Sequence, residues 1–347
     1  MCVYLQVERN PKGKQMANEV DINESELLEA HVDVFKQLLL DQTTKKNIFW
    51  ATDSYADLKE GYGFHDEITI PKITGDNNEV IRPRALKSKE EQKNRVKDKA
   101  EVFTPSWICN AQNNLVDEAW FGRKDVFNHE ENPEDGTHSW TTTEGYIEFP
   151  EDKSWKDYVS QTVMEITCGE APYLASRYDA VTGEVIPIKN RVGLLDRKLR
   201  IVSENTNNSI DWLTNAEIAF KSTYGYEWQG DNLLLARESL LFTFIDYYKE
   251  NYGNLPSDKS MNDIAYIISW NIWQMDGLKG VLPKSCHDVK LPVQKKMFAT
   301  DDNDDFETAP CPGCKKHDIF HHNGIYATIM DWDKGKPIRY VDLLKNS

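Results

Sequence analysis

The sequence predicts an α/β protein: a parallel sheet with helices on both faces, a helical N-terminal region and a small C-terminal β element. Three observations carry this. Between residues 158 and 278, short apolar strand-like runs alternate with helix-period segments, the pattern of βαβ units. The 347 residues, 39% hydrophobic and 28% charged, suffice to bury a large core. NLLLARESLLFTFIDYYKENYG, from Asn232, sets Leu234, Leu241, Phe244 and Tyr248 on one side of a long helix.

Three regions follow in order: 1–100, 101–280 and 281–347. In the first, Asn23 and Glu26 have capping-box spacing, and Leu28, Val32, Phe35 and Leu39 share a helical face. NIFWATDSYA, from Asn47, reads as a short strand or loop. Residues 73–100 show no period and read as a linker or arm. Their basic stretch, Arg82 to Lys99, is a solvated helix or a phosphate-contacting arm. In the second region, Pro105 starts a helix through Trp107, Ile108, Asn110, Gln112, Leu115 and Val116. HEENPEDGTHSWTTTEG is a turn-rich surface loop. YVSQTVMEIT reads as a strand, APYLASRYDAV as a helix and RVGLLD as a short strand. RKLRIVSENT and DWLTNAEIAFKSTYG read as helices, YEWQGD as a strand ending in an acid, and AYIISWNIW as an apolar strand. The third region holds the acidic loop TDDNDDFE, the segment CPGCKKHDIFHHNG, and a strand–turn–strand in IYATIMDWDKGKPIRYVDLL.

The net charge of −16 argues against a surface that coats nucleic acid, but leaves room for a local basic groove. No apolar run is long enough for a bilayer, and MCVYLQVERNPKGKQ lacks a signal-peptide core, so the expected location is cytoplasmic. Six scattered cysteines do not form a disulfide framework. The three-glycine dinucleotide fingerprint is absent, which disfavours a nicotinamide dehydrogenase.

Four stretches carry candidate chemistry. In VMEITCGEAPYL, Glu165 precedes a Cys168–Gly169 turn with Ala171 beyond it. This is either a plain strand–helix turn or a cradle where a ligand approaches backbone N–H groups. Asp196 and Asp231 read as strand-end acids able to accept from ribose hydroxyls and an exocyclic amine, or as helix caps. Asn271 and Trp273 read as a base-binding pair, or as a turn residue and a core residue.

Taken in order, these motifs resemble the gamma-type N6-adenine DNA methyltransferases, the modification subunits of restriction-modification systems, over Glu101 to Gly280. The similarity is greatest to compact proteins described as restriction endonuclease subunit M. It implies a Rossmann-like class I sheet and S-adenosyl-L-methionine as cofactor. The partners it implies are DNA and a specificity or restriction subunit. Phe103, Thr104 and Pro105 match the family loop that packs over the cofactor. Glu165, Ile166, Cys168, Gly169, Ala171, Tyr173 and Leu174 match its cofactor turn. Asp196 and Asp231 take the ribose- and adenine-binding positions. Asn271–Ile272–Trp273–Gln274 stands for the catalytic Asn-Pro-Pro-Tyr tetrad, with Asn271 accepting from the target amine and Trp273 stacking on the base. The tetrad prolines are missing, its aromatic falls one position early, and Ala171 replaces a glycine. The implied activity is methyl transfer to adenine N6 in DNA. The alternatives are a non-catalytic methyltransferase-like protein that binds DNA or a partner, and methylation of RNA or protein.

CPGC at 311–314 has zinc-knuckle spacing. Cys286, His287, His317, His321 and His322 are available to complete four ligands. Cys286, Cys311, Cys314 and His317 are the expected set for a structural zinc, against a pair of reduced thiols.

Overall fold

The computed structural model describes residues 24–92, 104–131, 136–292 and 306–345. Phe103 and part of the basic stretch lie outside them. The protein is α/β, with four small sheets among the described residues.

Two short helices, α1 (Glu24–Ala30) and α2 (Val32–Leu39), replace the single predicted helix. The break at His31 rotates the buried face. Val34, Phe35, Leu38 and Leu39 point inward, and Val32 is 44% exposed. Residues 47–49 then pass through isolated bridges, pairing Leu40 with Asn47 and Phe49 with Glu67, before Ala51 turns left-handed. Past α3 (Ile70–Ile73), the chain to residue 92 packs rather than projecting as an arm. Ile73, Ile81 and Lys87 are buried, and the Arg84 N–H donates to Glu170 at 2.7 Å.

Pro105 caps α4 (Ser106–Phe121), as the sequence predicts. The turn-rich segment after it forms a hairpin, β1 (Asn128–Glu131) with β2 (Ser139–Thr142). YVSQTVMEIT divides into α5 (Trp155–Ser160), held by a Ser154–Asp157 capping box, and a three-residue strand, β3 (Val163–Glu165).

The predicted helix over 171–181 does not form. Thr167, Gly169 and Ala171 all take positive φ, and Asp179 then turns the chain by accepting from the N–H groups of Val181 and Thr182. RVGLLD is no strand either. Gly193 caps α6 (Leu194–Asn205), and a Cβ there would lie 2.3 Å from the Leu174 carbonyl oxygen, so only glycine fits. Helix α7 (Ser209–Lys221) leads into β4 (Thr223–Glu227), and α8 (Gly230–Tyr252) follows. AYIISWN is the end of α9 (Asp258–Asn271), with only β5 (Ile272–Gln274) extended. An apolar run buried on most sides does not separate strand from helix by period, and length decided for helix.

Strands β3, β4 and β5 form one parallel sheet, in register Val163–Thr223 and Gly225–Ile272. Helices α7, α8 and α9 pack on β4, and one hydrophobic core runs from Leu27 to Ile272 through the N-terminal region and the sheet. Buried polar bonds fasten the two together. Arg237 of α8 donates to the carbonyls of Leu38, Leu40, Ser269 and Ile272, and Gln274 donates to those of Phe49 and Trp228. The C-terminal part is a β6 (Val289–Pro292)/β7 (Phe306–Ala309) hairpin, α10 (Pro312–Lys316), and the predicted strand–turn–strand, β8 (Thr328–Asp331)/β9 (Lys336–Arg339), ending in α11 (Tyr340–Leu343). Among the described residues, no helix is long and apolar enough to cross a membrane.

Candidate functional site: a cavity at the strand ends and a cysteine–histidine cluster

A cavity of about 930 Å³ opens at the carboxyl ends of β3 and β4. Parallel sheets commonly bind ligands at this edge, and the volume suits a drug-sized molecule. Its floor is the turn 165–169. The N–H of Cys168 bonds the Tyr226 carbonyl at 2.9 Å, and the N–H of Gly169 bonds Glu227 Oε2 at 2.9 Å. These bonds tie the turn of one strand to the end of the next. Cys168 fills the space beside Gly225, where a Cβ would stand 3.3 Å from its sulfur. Thr167 and Ala171 hold left-handed conformations that non-glycine residues adopt at a cost of about 1 kcal/mol each. Position 171 is therefore one that favours glycine.

Three acceptors face this space. Glu165 Oε2 and Gln229 Oε1 are buried without a hydrogen-bond partner among the described residues. Glu227 lines the same wall. Burial pushes the Glu165 carboxyl well above the carboxylate range, against the N–H groups of Tyr173 and Leu174 that favour its charge. Burial likewise pushes Glu227 up to about 7, opposed by the N–H groups of Gln229, Gly169 and Trp228. Trp228 and Phe64 supply aromatic wall, and Lys284 stands at the cavity with its Nζ 3.8 Å from the Phe64 ring centre.

The predicted residues divide sharply. Thr104, Glu165, Cys168 and Gly169 line the cavity. Pro105 and Ala171 shape it from behind, as helix cap and buried turn residue. Asp196 does not line it. It lies in the first turn of α6, and its Oδ2 accepts from the Ser176 N–H at 2.8 Å and from the Ser176 hydroxyl. Asp231 is also elsewhere, in the first turn of α8, accepting from the Tyr55 hydroxyl at 2.7 Å with Lys87 at 3.8 Å. Neither is a strand-end acid and neither caps its helix, since the N-cap positions are Gly193 and Gln229.

Asn271 sits at the amino end of β5, away from the cavity edge. Its Nδ2 donates to the carbonyls of Phe220, Lys221 and Thr223, at 2.9, 3.1 and 3.1 Å. Its Oδ1 accepts from Trp332 Nε1 at 2.9 Å. Every polar atom of the side chain is used inside the fold, closing the end of α7. Trp273 packs in a second, small core with Tyr226, Met275, Ala327 and Ile329. The sequence reading missed Glu227, Gln229 and Lys284, of which Glu227 ends a strand. Glu227 sits inside YEWQGD, and its signal was the true end of the strand, four residues before Asp231.

The second candidate centre lies in the C-terminal part. The ligand atoms of Cys286, Cys311, Cys314 and His322 all fall within 4.8 Å of one another. His322 Nδ1 stands 3.4 Å from Cys286 Sγ and 3.6 Å from those of Cys311 and Cys314. Tetrahedral zinc with ordinary bond lengths needs ligand–ligand edges of about 3.6 Å, so the residues fit that ion. Cys311 caps α10 with Pro312 behind it. Gly313 is required because a Cβ there would meet the His322 backbone nitrogen at 2.6 Å. Burial pushes the Cys311 thiol up, and N–H donors from Cys314 and Asn323 with His322 bring it down to about 6. His317 is not in the cluster. It ends α10 in a left-handed conformation, φ 53°, which turns the chain so that His322 arrives instead.

No family model, curated protein or solved structure matches this chain.

Proposed function

We propose that the strand-end cavity binds S-adenosyl-L-methionine and that the protein is a methyltransferase-like protein acting on DNA, as its resemblance to the gamma-type N6-adenine enzymes implies. One observation carries the reading. Glu165 Oε2, Gln229 Oε1 and the Glu227 carboxylate converge on one cavity floored by a strained Cys–Gly turn. That acceptor set fits a ligand rich in donors: an ammonium, two ribose hydroxyls and an exocyclic amine. Glu227, at the end of the second parallel strand, takes the hydroxyl-binding role in place of Asp196. When bound, the cofactor supplies an activated methyl group. The chain holds and orients it, and the burial of the two carboxyls excludes water from its donors.

The location of Asn271 and Trp273 favours a second reading, in which the protein binds cofactor and DNA, or a restriction or specificity partner, without transferring a methyl group through Asn271. Calorimetric titration with S-adenosyl-L-methionine tests the first step. The parent protein binds, and Glu227→Gln weakens binding about tenfold or more. A folded parent free of carried-over cofactor that does not bind sinks the proposal. Labelled methyl groups appearing in DNA support the enzyme. Cofactor binding with no label in DNA, RNA or protein supports the second reading.

The cysteine–histidine cluster supports a structural zinc. Metal analysis of the purified protein should find about one zinc per chain, and Cys314→Ser should lose it. Metal-free parent protein with an intact C-terminal part would reject the assignment.

A further inference from the structure

We infer that the cluster Cys286–Cys311–Cys314–His322, once metal-bound, fixes Lys284 as the anion contact of the strand-end cavity. This rests on the cofactor and zinc readings above. Lys284 is the cation among the described residues that line that cavity, and Glu165 and Glu227 are the acidic residues in the same wall. A ligand that satisfies the buried acceptors still needs one anionic group placed against Lys284: the carboxylate of the cofactor or a phosphate of DNA.

The connection between metal and lysine is short. Lys284 precedes Cys286 by two residues and takes a left-handed conformation, φ 52°, so the turn sets the direction in which its Cα–Cβ bond leaves the backbone. The turn is tied to the segment that delivers His322. Leu282 N–H donates to the Ile325 carbonyl at 2.8 Å, and Ile325 N–H donates to the Ser285 hydroxyl at 3.1 Å. Asn323 bridges back, with its Nδ2 on the His287 carbonyl at 2.7 Å and its Oδ1 receiving the His287 N–H at 3.2 Å. Gly324 permits this approach, since a Cβ there would lie 2.6 Å from Ser285 Oγ. The bonds made by Ser285 and Asn323 lie at an exposed surface. Without the metal, three thiols and an imidazole have little reason to stay within one coordination sphere, and the turn bearing Lys284 loses its strongest tie.

Two ligands and two variants test this. S-adenosyl-L-methionine and a short DNA duplex are titrated into zinc-loaded parent, zinc-loaded Lys284→Met, and both proteins after chelation. Lys284→Met keeps the stem over Phe64 and removes only the charge. The expected loss is about fivefold for one of the two ligands, the size of a partly exposed ion pair. Loss for the cofactor identifies a carboxylate, and loss for DNA alone identifies a phosphate. Chelation should produce a similar loss in the parent and little further loss in Lys284→Met. Hydrogen exchange should show residues 282–287 and the backbone around Phe64 losing protection together on chelation. Unchanged affinity for both ligands in Lys284→Met overturns the proposal, as does equal loss on chelation in both proteins. Absence of cofactor binding in the zinc-loaded parent defeats the cofactor reading alone, because the DNA arm and the exchange experiment still decide the role of Lys284.

Discussion

The two ends of the three-stranded sheet treat polar side chains in opposite ways. At the amino end of β5, Asn271 is saturated, with three carbonyls and one indole N–H around it. At the carboxyl ends of β3 and β4, Glu165 and Gln229 keep buried oxygens without partners among the described residues, over a turn with two left-handed non-glycine residues. A fold tolerates unmet polar atoms and backbone strain only where something else repays them. A saturated buried amide is a structural part. An unsatisfied one beside a cavity is a candidate binding group.

The largest effect is expected at the saturated end. Asn271→Ala strips the partner from buried carbonyls and from Trp332, and should cost about 3 kcal/mol in denaturant-unfolding free energy. Glu165→Gln, at the open end, should cost nearly nothing in stability, since burial already favours the neutral form of that carboxyl. Equal destabilisation by the two would erase the contrast.

A smaller effect is expected from pH. The Glu227 carboxyl is raised from 4.5 in the unfolded chain to about 7 in the fold. The folded state therefore holds this proton more tightly. The stability it contributes is complete below about pH 4.5 and is lost as pH rises through 7. Cofactor affinity should run the other way, strengthening as pH rises through 7, because the charged carboxylate is the acceptor the hydroxyls need. Calorimetry across this range should show the slope in the parent and none in Glu227→Gln. A slope of the same size in both would remove Glu227 from the site.

The smallest effect concerns strain. Ala171→Gly should raise stability by up to about 1 kcal/mol, read as a shift in thermal midpoint, because the left-handed position no longer carries a Cβ. A fall would mean that packing of the buried methyl group outweighs the strain.

Much of this was legible in the residues. The Pro105 helix start, the long helix from residue 230, the final strand–turn–strand and a Cys–Gly turn after a strand all follow from local rules, and the structure keeps them, with the turn lining a cavity. The grouping of the CPGC cysteines with Cys286 was legible because spacing and residue type constrain it directly, and the structure brings the three together. The ends of short elements were not. Asp196, Asp231 and Glu227 are all acids near an expected strand end, and local sequence ranks them alike. What separates them is where each strand stops. β4 ends at Glu227 because its last pairing is Glu227 with Gln274, a contact across 47 positions of chain. His322 displaced His317 for the same kind of reason, since a left-handed turn at the end of α10 reverses the chain and no short-range preference announces it. The sequence by itself determined the α/β class, the glycine turn at the end of the first parallel strand and three of the four members of the cysteine–histidine cluster, because these depend on period, glycine and spacing. Tertiary structure alone decided which carboxylates reach the cavity, which histidine joins the cysteines and that Asn271 is spent on the fold, because those are questions of which distant backbone groups stand within hydrogen-bonding reach.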